Sequence, residues 1–245
     1  MSQIESNDSL FDKHIDQIAD FAFDDKVAAV FPDMITRSVP GYKTIIAMTG
    51  LMAGRYATAN SQCYDLGCSL GASTLAMSQE IAVENCRIVA VDSSKSMLDR
   101  CRGVLKTDSH DSEMEFTEAD IRNITIKNAS VVVLNFTLQF IEQAEREKVI
   151  CNIYNGMNPG GIMILSEKIC FEDPHLQQLN TDLHHNFKRA NGYSDLEISQ
   201  KRTAIENVLV PETIAAHQQR ISRAGFSSCD VWFQCFNFAS LVAVK

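Results

Sequence analysis

Apolar positions along this chain follow two spacings, and the way the spacings alternate predicts the architecture. Between Lys43 and Ala57, the residues Ile45, Ile46, Met48, Thr49, Met52 and Ala53 recur at helical spacing, giving a stripe able to pack over the start of a sheet. From about Gln62 to Lys168 short apolar runs alternate with helical patterns, as they do where a parallel sheet is covered on both faces. Runs ending at Leu66, Val91, Thr117, Leu134 and Leu165 supply the strands of this region. Helices are expected after Asp92, through Met97, Leu98 and Val104, and from roughly Glu142 to Met157, where Asn158-Pro159-Gly160-Gly161 should stop the chain ahead of the last of these strands. Beyond Pro211-Glu212-Thr213 a helix should run to Arg223 with Gly225 as its cap. Two further apolar runs, Val231–Phe236 and Phe238–Val244, meet at Asn237 and predict a hairpin. The fold class is therefore α/β, a Rossmann-like, mostly parallel sheet of seven strands ending in an antiparallel hairpin.

Outside this alternation lie two other stretches. Residues 1–25 are polar with scattered aromatics, Phe11, Phe21 and Phe23, and are expected to wrap loosely onto the body and cover something before a helix begins near Asp24 or Asp25. A Pro40-Gly41 turn should then aim the Tyr42 ring inward. Residues 171–211 form a polar, helical stretch with His184-His185, Lys188-Arg189 and Lys201-Arg202, read as a lid or a subunit contact. The chain 1–245 is thus one domain, with a helical cap over 1–58, an α/β core over 59–170 and 212–245, and an insertion over 171–211.

The candidate chemistry sits at Tyr64-Asp65-Leu66-Gly67-Cys68-Ser69-Leu70-Gly71, where the first strand stops and a helix opens at once. Glycines there let the backbone approach a ligand, and the free N–H groups of the helix start point at it, although a tight turn without a ligand has the same sequence. Asp92 ends the second strand about 20 residues past Gly71, where nucleotide-binding units place a carboxylate for ribose hydroxyls. It could also cap the next helix, and the two roles are compatible, with the ribose role the favoured reading. Asp120 and Asn135 follow the third and fourth strands, at the ends that line the ligand crevice of open α/β sheets.

Charge narrows the partners. Against 31 acidic residues stand 22 basic ones, for a net charge of −9, and no block of consecutive Lys or Arg occurs, so tight direct binding of nucleic acid is not expected. The eight cysteines include no Cys-x-x-Cys pair and read as reduced, buried thiols of a cytosolic protein. The N-terminus is polar and acidic and no apolar run is long enough to span a membrane, which fits a soluble, cytoplasmic chain. No metal is expected, because His184 and His185 should point to different faces of their helix. Cys68 has no general base placed near it and reads as a small packed residue.

The Gly67–Gly71 turn, Asp92, the hairpin and Pro159-Gly160-Gly161 together resemble the class I S-adenosylmethionine-dependent methyltransferases. Asn135 lacks the Pro-Pro-aromatic run of the amino-methylating members. A narrower likeness extends over nearly the whole chain. Phe31-Pro32-Asp33-Met34-Ile35, Arg37-Ser38-Val39-Pro40-Gly41-Tyr42, Val132-Val133-Leu134-Asn135-Phe136-Thr137-Leu138-Gln139-Phe140, Phe187-Lys188-Arg189-Ala190-Asn191-Gly192-Tyr193-Ser194 and Leu196-Glu197-Ile198-Ser199-Gln200-Lys201-Arg202 resemble the bacterial carboxy-S-adenosyl-L-methionine synthases.

That resemblance implies an enzyme converting S-adenosylmethionine and prephenate into carboxy-S-adenosylmethionine, phenylpyruvate and water. It implies a homodimer whose product passes to a tRNA carboxymethyltransferase for wobble-uridine 5-oxyacetic acid. A sulfonium acidifies its methyl group, so a transient ylide can capture carbon dioxide where a site holds both close and excludes water. By the same resemblance, the Gly67-Cys68-Ser69 backbone faces the amino-acid part of the donor, Asp92 and Ser93 the ribose, and Asp120 and Ile121 the adenine. Asn135 would lie beside the sulfonium with Tyr42 closing over it. Arg202, on its own a surface charge, would hold the new carboxylate, in its own subunit or across the dimer. Arg37 and Arg189 are further candidates for the carboxylates of prephenate. The fold alone also admits an ordinary methyltransferase acting on tRNA or a small molecule, or a cofactor-binding partner protein without turnover.

Overall fold

A computed structural model describes residues 7–106 and 113–245. Seven strands form one sheet: β1 (Gln62–Leu66), β2 (Arg87–Asp92), β3 (Met114–Glu118), β4 (Ala129–Asn135), β5 (Met157–Lys168), β6 (Ser228–Cys235) and β7 (Phe238–Val244). Their order is β3-β2-β1-β4-β5-β7-β6. Pairing is parallel from β3 to β5, while β7 runs antiparallel between β5 and β6. The chain winds outward from β1 in one direction and then returns to place β4 on its other side. A crevice opens at such a switch point, beyond the carboxyl ends of the strands. Register brings Asp92 level with Glu118, and Asn135 level with Ser166, along that rim.

The central strands read as continuous apolar runs because both faces are covered: Val131, Val132, Val133 and Leu134 are fully buried. Alternate residues serve opposite layers. Leu66, Val132, Leu134 and Leu165 pack with Ile150, Ile153 and Ile221 from α5 (Gln143–Gly156) and α8 (Ile214–Ala224). Cys63, Val131, Val133 and Ile164 pack with Ala53 and Met77 from α2 (Tyr42–Tyr56) and α3 (Ala72–Glu80). Between β2 and β3 lies α4 (Lys95–Leu105). The eight cysteines are all free, and four of them are buried.

Before β1, α1 (Asp25–Ser38) starts at Asp24, whose side chain accepts from the N–H groups of Lys26 and Val27. It continues straight through Pro32. An interior proline costs about 3 kcal/mol, but burying each large apolar side chain returns roughly 1.5–3 kcal/mol, and Val27, Val30 and Met34 are all buried on this helix. Between β5 and α8, α6 (Pro174–Ala190) and α7 (Asp195–Ile205) fill the inserted segment, α7 opening on a reciprocal Ser194–Glu197 capping box.

Two expectations are corrected. Pro159-Gly160-Gly161 does not form a turn ahead of the strand: α5 ends at Gly156 and β5 begins at Met157, pairing with Ala129. An irregularity between Ala129 and Val131 and a positive φ of 78° at Gly160 absorb the motif within the ladder. The second concerns residues 7–24. They lack helix and strand but are not loosely wrapped, since hydrogen bonds fix them to α7. Ile15 N–H donates to Gln200 Oε1 at 2.7 Å, Gln200 Nε2 donates to the carbonyls of Phe11 and Lys13, and Phe21 N–H donates to the Ala204 carbonyl at 2.9 Å.

Candidate active site

The turn after β1 is built for close approach. Gly67 has φ 82°, and a Cβ placed there would lie 2.2 Å from Thr137 Oγ1, so this position accepts only glycine without displacing the loop after β4. Ser69 also adopts a left-handed conformation, φ 50°, and its N–H donates to Asp92 Oδ2 at 2.8 Å. The other carboxylate oxygen accepts from Ser94 N–H at 2.8 Å. Ser94, not Asp92, caps α4, its hydroxyl accepting from Met97 N–H. Backbone N–H groups thus hold both Asp92 oxygens in place, and a carboxylate's remaining lone pairs can accept from a ligand hydroxyl. Behind it, buried Asp65 accepts from Thr74 Oγ1 at 2.6 Å, and burial pushes its carboxyl up to about 6.

A cavity of about 760 Å³ opens over these strand ends, large enough for a nucleoside-sized ligand with a second small molecule. Gly67, Ser69, Asp92, Ser93, Asp120, Ile121, Asn135 and Arg202 all line it. Asp120 is clamped by Arg122, whose Nε lies 3.0 Å from both carboxylate oxygens; this pairing holds the carboxyl below its usual range. Asn135 is fixed by three hydroxyls, donating to Ser73 at 2.9 Å and Thr49 at 3.3 Å while accepting from Ser166 at 2.6 Å.

Two of the sequence candidates do not border the cavity. Cys68 turns its side chain into a cluster with Leu98, Cys101 and Leu105; the Cys101 thiol and burial push its pKa up, which leaves only its backbone to face a ligand. Tyr42 lies one layer back, its ring 6.3 Å from that of Phe136, which does line the cavity. Burial, and then the Asp65 charge, raises the pKa of the Tyr42 phenol. Phe136 itself is held at φ 63°, a strained conformation for an aromatic residue, by its N–H donating to the Ser166 carbonyl at 2.7 Å. Arg37 and Arg189 are also turned elsewhere. Arg37 Nε donates to the Asn191 carbonyl with its guanidinium over the Tyr193 ring, and Arg189 pairs with Asp195 at 2.7 Å.

Several residues of the site were not assigned to it from sequence, four of them having been noted only as part of the inserted segment. Lys168 at the end of β5, His184, His185 and Lys188 on α6, and Lys201 on α7 all face the cavity, beside Arg202. The two histidines share this wall, with ring centroids 6.3 Å apart, instead of pointing to different faces. His184 Nε2 lies 2.8 Å from the Ser38 carbonyl and donates to it as a neutral imidazole; burial, then the charge of Lys168, pushes its pKa down to about 3. Burial likewise lowers Lys188 to about 7 and Lys201 to about 8. Sequence signals existed: Lys168 sits at a strand's carboxyl end, and His184 and Lys188 are four residues apart on one helix. Among the described residues there is no cluster of three or more His, Cys, Asp or Glu that could hold a metal ion.

The opposite wall is aromatic. Phe23 packs edge-on against Phe21 and Phe140, each at 5.2 Å, and against Phe31 at 6.2 Å. The Phe23 carbonyl accepts from Ser94 Oγ at 2.6 Å, which ties the N-terminal strap to the residue beside Asp92. The result is one cavity with Asp92 and the Asp120–Arg122 pair at one end, the lysines and Arg202 of the inserted helices and β5 at the other, and an aromatic roof.

This sheet order and rim define the class I methyltransferase fold, and the comparisons agree. A methyltransferase-domain family model matches residues 64–161. An O-methyltransferase family protein from Burkholderia thailandensis superposes with TM-score 0.64 at 18% identity, over 91% of this chain and 60% of that one. Human N-acetylserotonin methyltransferase in complex with SAM superposes with TM-score 0.59 at 16% identity, over 90% and 55%. Much nearer relatives are the carboxy-S-adenosyl-L-methionine synthases of Trichlorobacter lovleyi, 59% identical over 97% of this chain and 98% of the relative, and of Vibrio cholerae, 56% identical over 100% and 99%. The chain belongs to the carboxy-S-adenosyl-L-methionine synthase family.

Proposed function

We propose that this chain converts S-adenosyl-L-methionine and prephenate into carboxy-S-adenosyl-L-methionine, phenylpyruvate and water. What carries the reading is the near full-length likeness to synthases named for that product. In the balanced reaction, prephenate loses its ring carboxyl as carbon dioxide and its ring hydroxyl as hydroxide, and the ring becomes aromatic. A proton leaves the sulfonium methyl to join the hydroxide as water, and a carbon–carbon bond forms between that methyl carbon and carbon dioxide.

The residues divide this work by position. Asp92 and Ser93 take the ribose, Asp120 and Ile121 the adenine, and the Gly67-Cys68-Ser69 backbone the amino-acid part. Asn135, pinned by three hydroxyls, presents a fixed dipole near the reacting carbon, and Tyr42 supports Phe136 behind it. Arg202 receives the new carboxylate; its side chain is 65% exposed, and among the described residues its ionic partner is Glu206, at a loose 3.7 Å, which leaves it able to pair with another anion. The aromatic roof limits water that would otherwise compete for carbon dioxide.

A second copy of the chain is assigned to the exposed face of α6, where Leu176 and Leu179 stand about half exposed one helical turn apart. The product is consumed by a carboxymethyl-transferring enzyme acting on tRNA, and the acidic chain itself does not bind the nucleic acid tightly. No helix among the described residues is long and apolar enough to cross a membrane, which accords with a cytoplasmic setting.

The test is mass spectrometry of small molecules after incubating the purified chain with both substrates. A prephenate-dependent species heavier than the donor by one carbon dioxide supports the reading. Unchanged donor in protein that binds it returns the question to a conventional methyl transfer.

A further inference from the structure

Most of the charged groups lining the cavity have partners within the chain. Asp120 is clamped by Arg122, Lys201 by Asp8, and Arg202 is approached by Glu206. Lys168 and Lys188 are different. Both line the cavity, and among the described residues neither ammonium makes a hydrogen bond or ion pair; the Lys188 ammonium lies 5.7 Å from the centre of the Tyr193 ring. Lys188 is only 7% exposed, and Asn237, 2% exposed in the β6–β7 turn, lines the same cavity with its side-chain oxygen unpartnered.

An unpaired ammonium held away from water is costly, and two beside each other are more so. The other groups facing this wall, His184, His185, Lys201 and Arg202, add positive or neutral character, and Asp8 is already committed to Lys201 and Tyr193. The Asp8 charge reaches Lys188 but is outweighed there by burial and by Lys201 and Lys168, and Glu206 on the cavity lining is paired with Arg202. The wall also stands well apart from the ribose end: β2 and β5 are separated by β1 and β4, about 14 Å along the sheet at the usual strand spacing.

We propose that Lys168 and Lys188, with Asn237 beside them, form an anion subsite that binds a carboxylate of the second substrate, and so select a dianionic acid over a monoanionic one. The Asn237 oxygen is suited to accept from an ammonium or from a substrate hydroxyl, and the two lysines supply charge without the bidentate geometry that Arg202 brings to the product. The inference rests on the proposed reaction only for the identity of that acid.

Binding should be accompanied by proton uptake. Lys188, lowered to about 7 by burial and then by Lys201 and Lys168, is largely neutral at pH 8 and becomes charged when an anion pairs with it. Calorimetric titrations at pH 8, in buffers of different ionisation heat, would use prephenate and, as a probe independent of turnover, 2-oxoglutarate. For Lys168→Met and Lys188→Met the dianion Kd should rise about tenfold or more while that of S-adenosylmethionine stays within about twofold. Lys188→Arg should retain most of the affinity, and proton uptake should fall in Lys188→Met to what Lys168 and Lys201, themselves lowered by burial, still take up. Unchanged dianion affinity in both methionine variants, or parallel loss of both ligands, overturns the subsite. Wild type that binds the dianions but forms no product sinks the proposed reaction and leaves the subsite standing. Product formation with prephenate KM unchanged in both variants does the reverse.

Discussion

Asp8 and Lys201, 193 residues apart in sequence, meet as a buried pair: Oδ2 lies 3.4 Å from Nζ, with the side chains 2% and 9% exposed. Tyr193 donates its hydroxyl to the same carboxylate, and Lys201 donates to Ser38 Oγ at 3.1 Å. This contact locks the N-terminal strap to α7, and through the strap it holds Phe21 and Phe23 over the cavity.

Asp8→Ala should therefore cost about 3 kcal/mol, because it strands a buried ammonium as well as removing a bond. Urea unfolding would measure it. The double variant Asp8→Ala/Lys201→Met should lose less than the sum of the two single changes, and strict additivity would show that the pair is not coupled.

Asp92→Asn should weaken S-adenosylmethionine and its carboxylated product alike, by roughly tenfold or more, since the ribose is common to both. Calorimetry on the two ligands decides it; a loss confined to one of them would remove Asp92 from the ribose.

For Arg202→Ala the losses should instead be unequal. Release of carboxy-S-adenosylmethionine should quicken by about tenfold or more, while S-adenosylmethionine affinity changes by no more than about threefold. Stopped-flow displacement of bound product provides the measurement.

The neutral His184 sets an acid limit. Its pKa is about 3 in the fold, pushed down chiefly by burial, against about 6.5 in an unfolded chain, so the unfolded state binds the extra proton first. The stability it permits is fully present above about pH 6.5 and drains away as pH falls toward 3. His184→Gln, which keeps a donor for the Ser38 carbonyl, should unfold with a shallower pH dependence across that window in thermal melts at successive pH values.

The core strands and their rim were readable because each is a short apolar run ending in a polar residue, and Asp92, Asp120 and Asn135 sit where that rule puts them. The cationic wall was hidden for a physical reason: Lys168, Lys188 and Lys201 have the sequence appearance of solvated charges, and only the packing of α6 and α7 over the strand ends turns them inward. Tyr42 and Cys68 show the converse. Gly67 and Ser69 on either side of the cysteine line the cavity, yet Cys101 draws its thiol into the core, and Phe136 lines the cavity in place of the tyrosine ring packed against it. The Pro159-Gly160-Gly161 motif misled because β5 tolerates an irregular opening, which no local turn rule anticipates.

The strap anchored by Asp8, Phe11 and Phe21 also sets an order of events during synthesis. These residues leave the ribosome long before Tyr193, Gln200, Lys201 and Ala204, to which they are bonded. Throughout most of translation the Rossmann-like half can already collapse around its strands, but the roof has the Phe23–Ser94 hydrogen bond and its ring contacts with Phe31 and Phe140 to hold it, without its bonds to α7. A nascent chain consequently carries an open crevice, and the sheltered chamber needed to keep carbon dioxide from water comes into being only when α7 has been made.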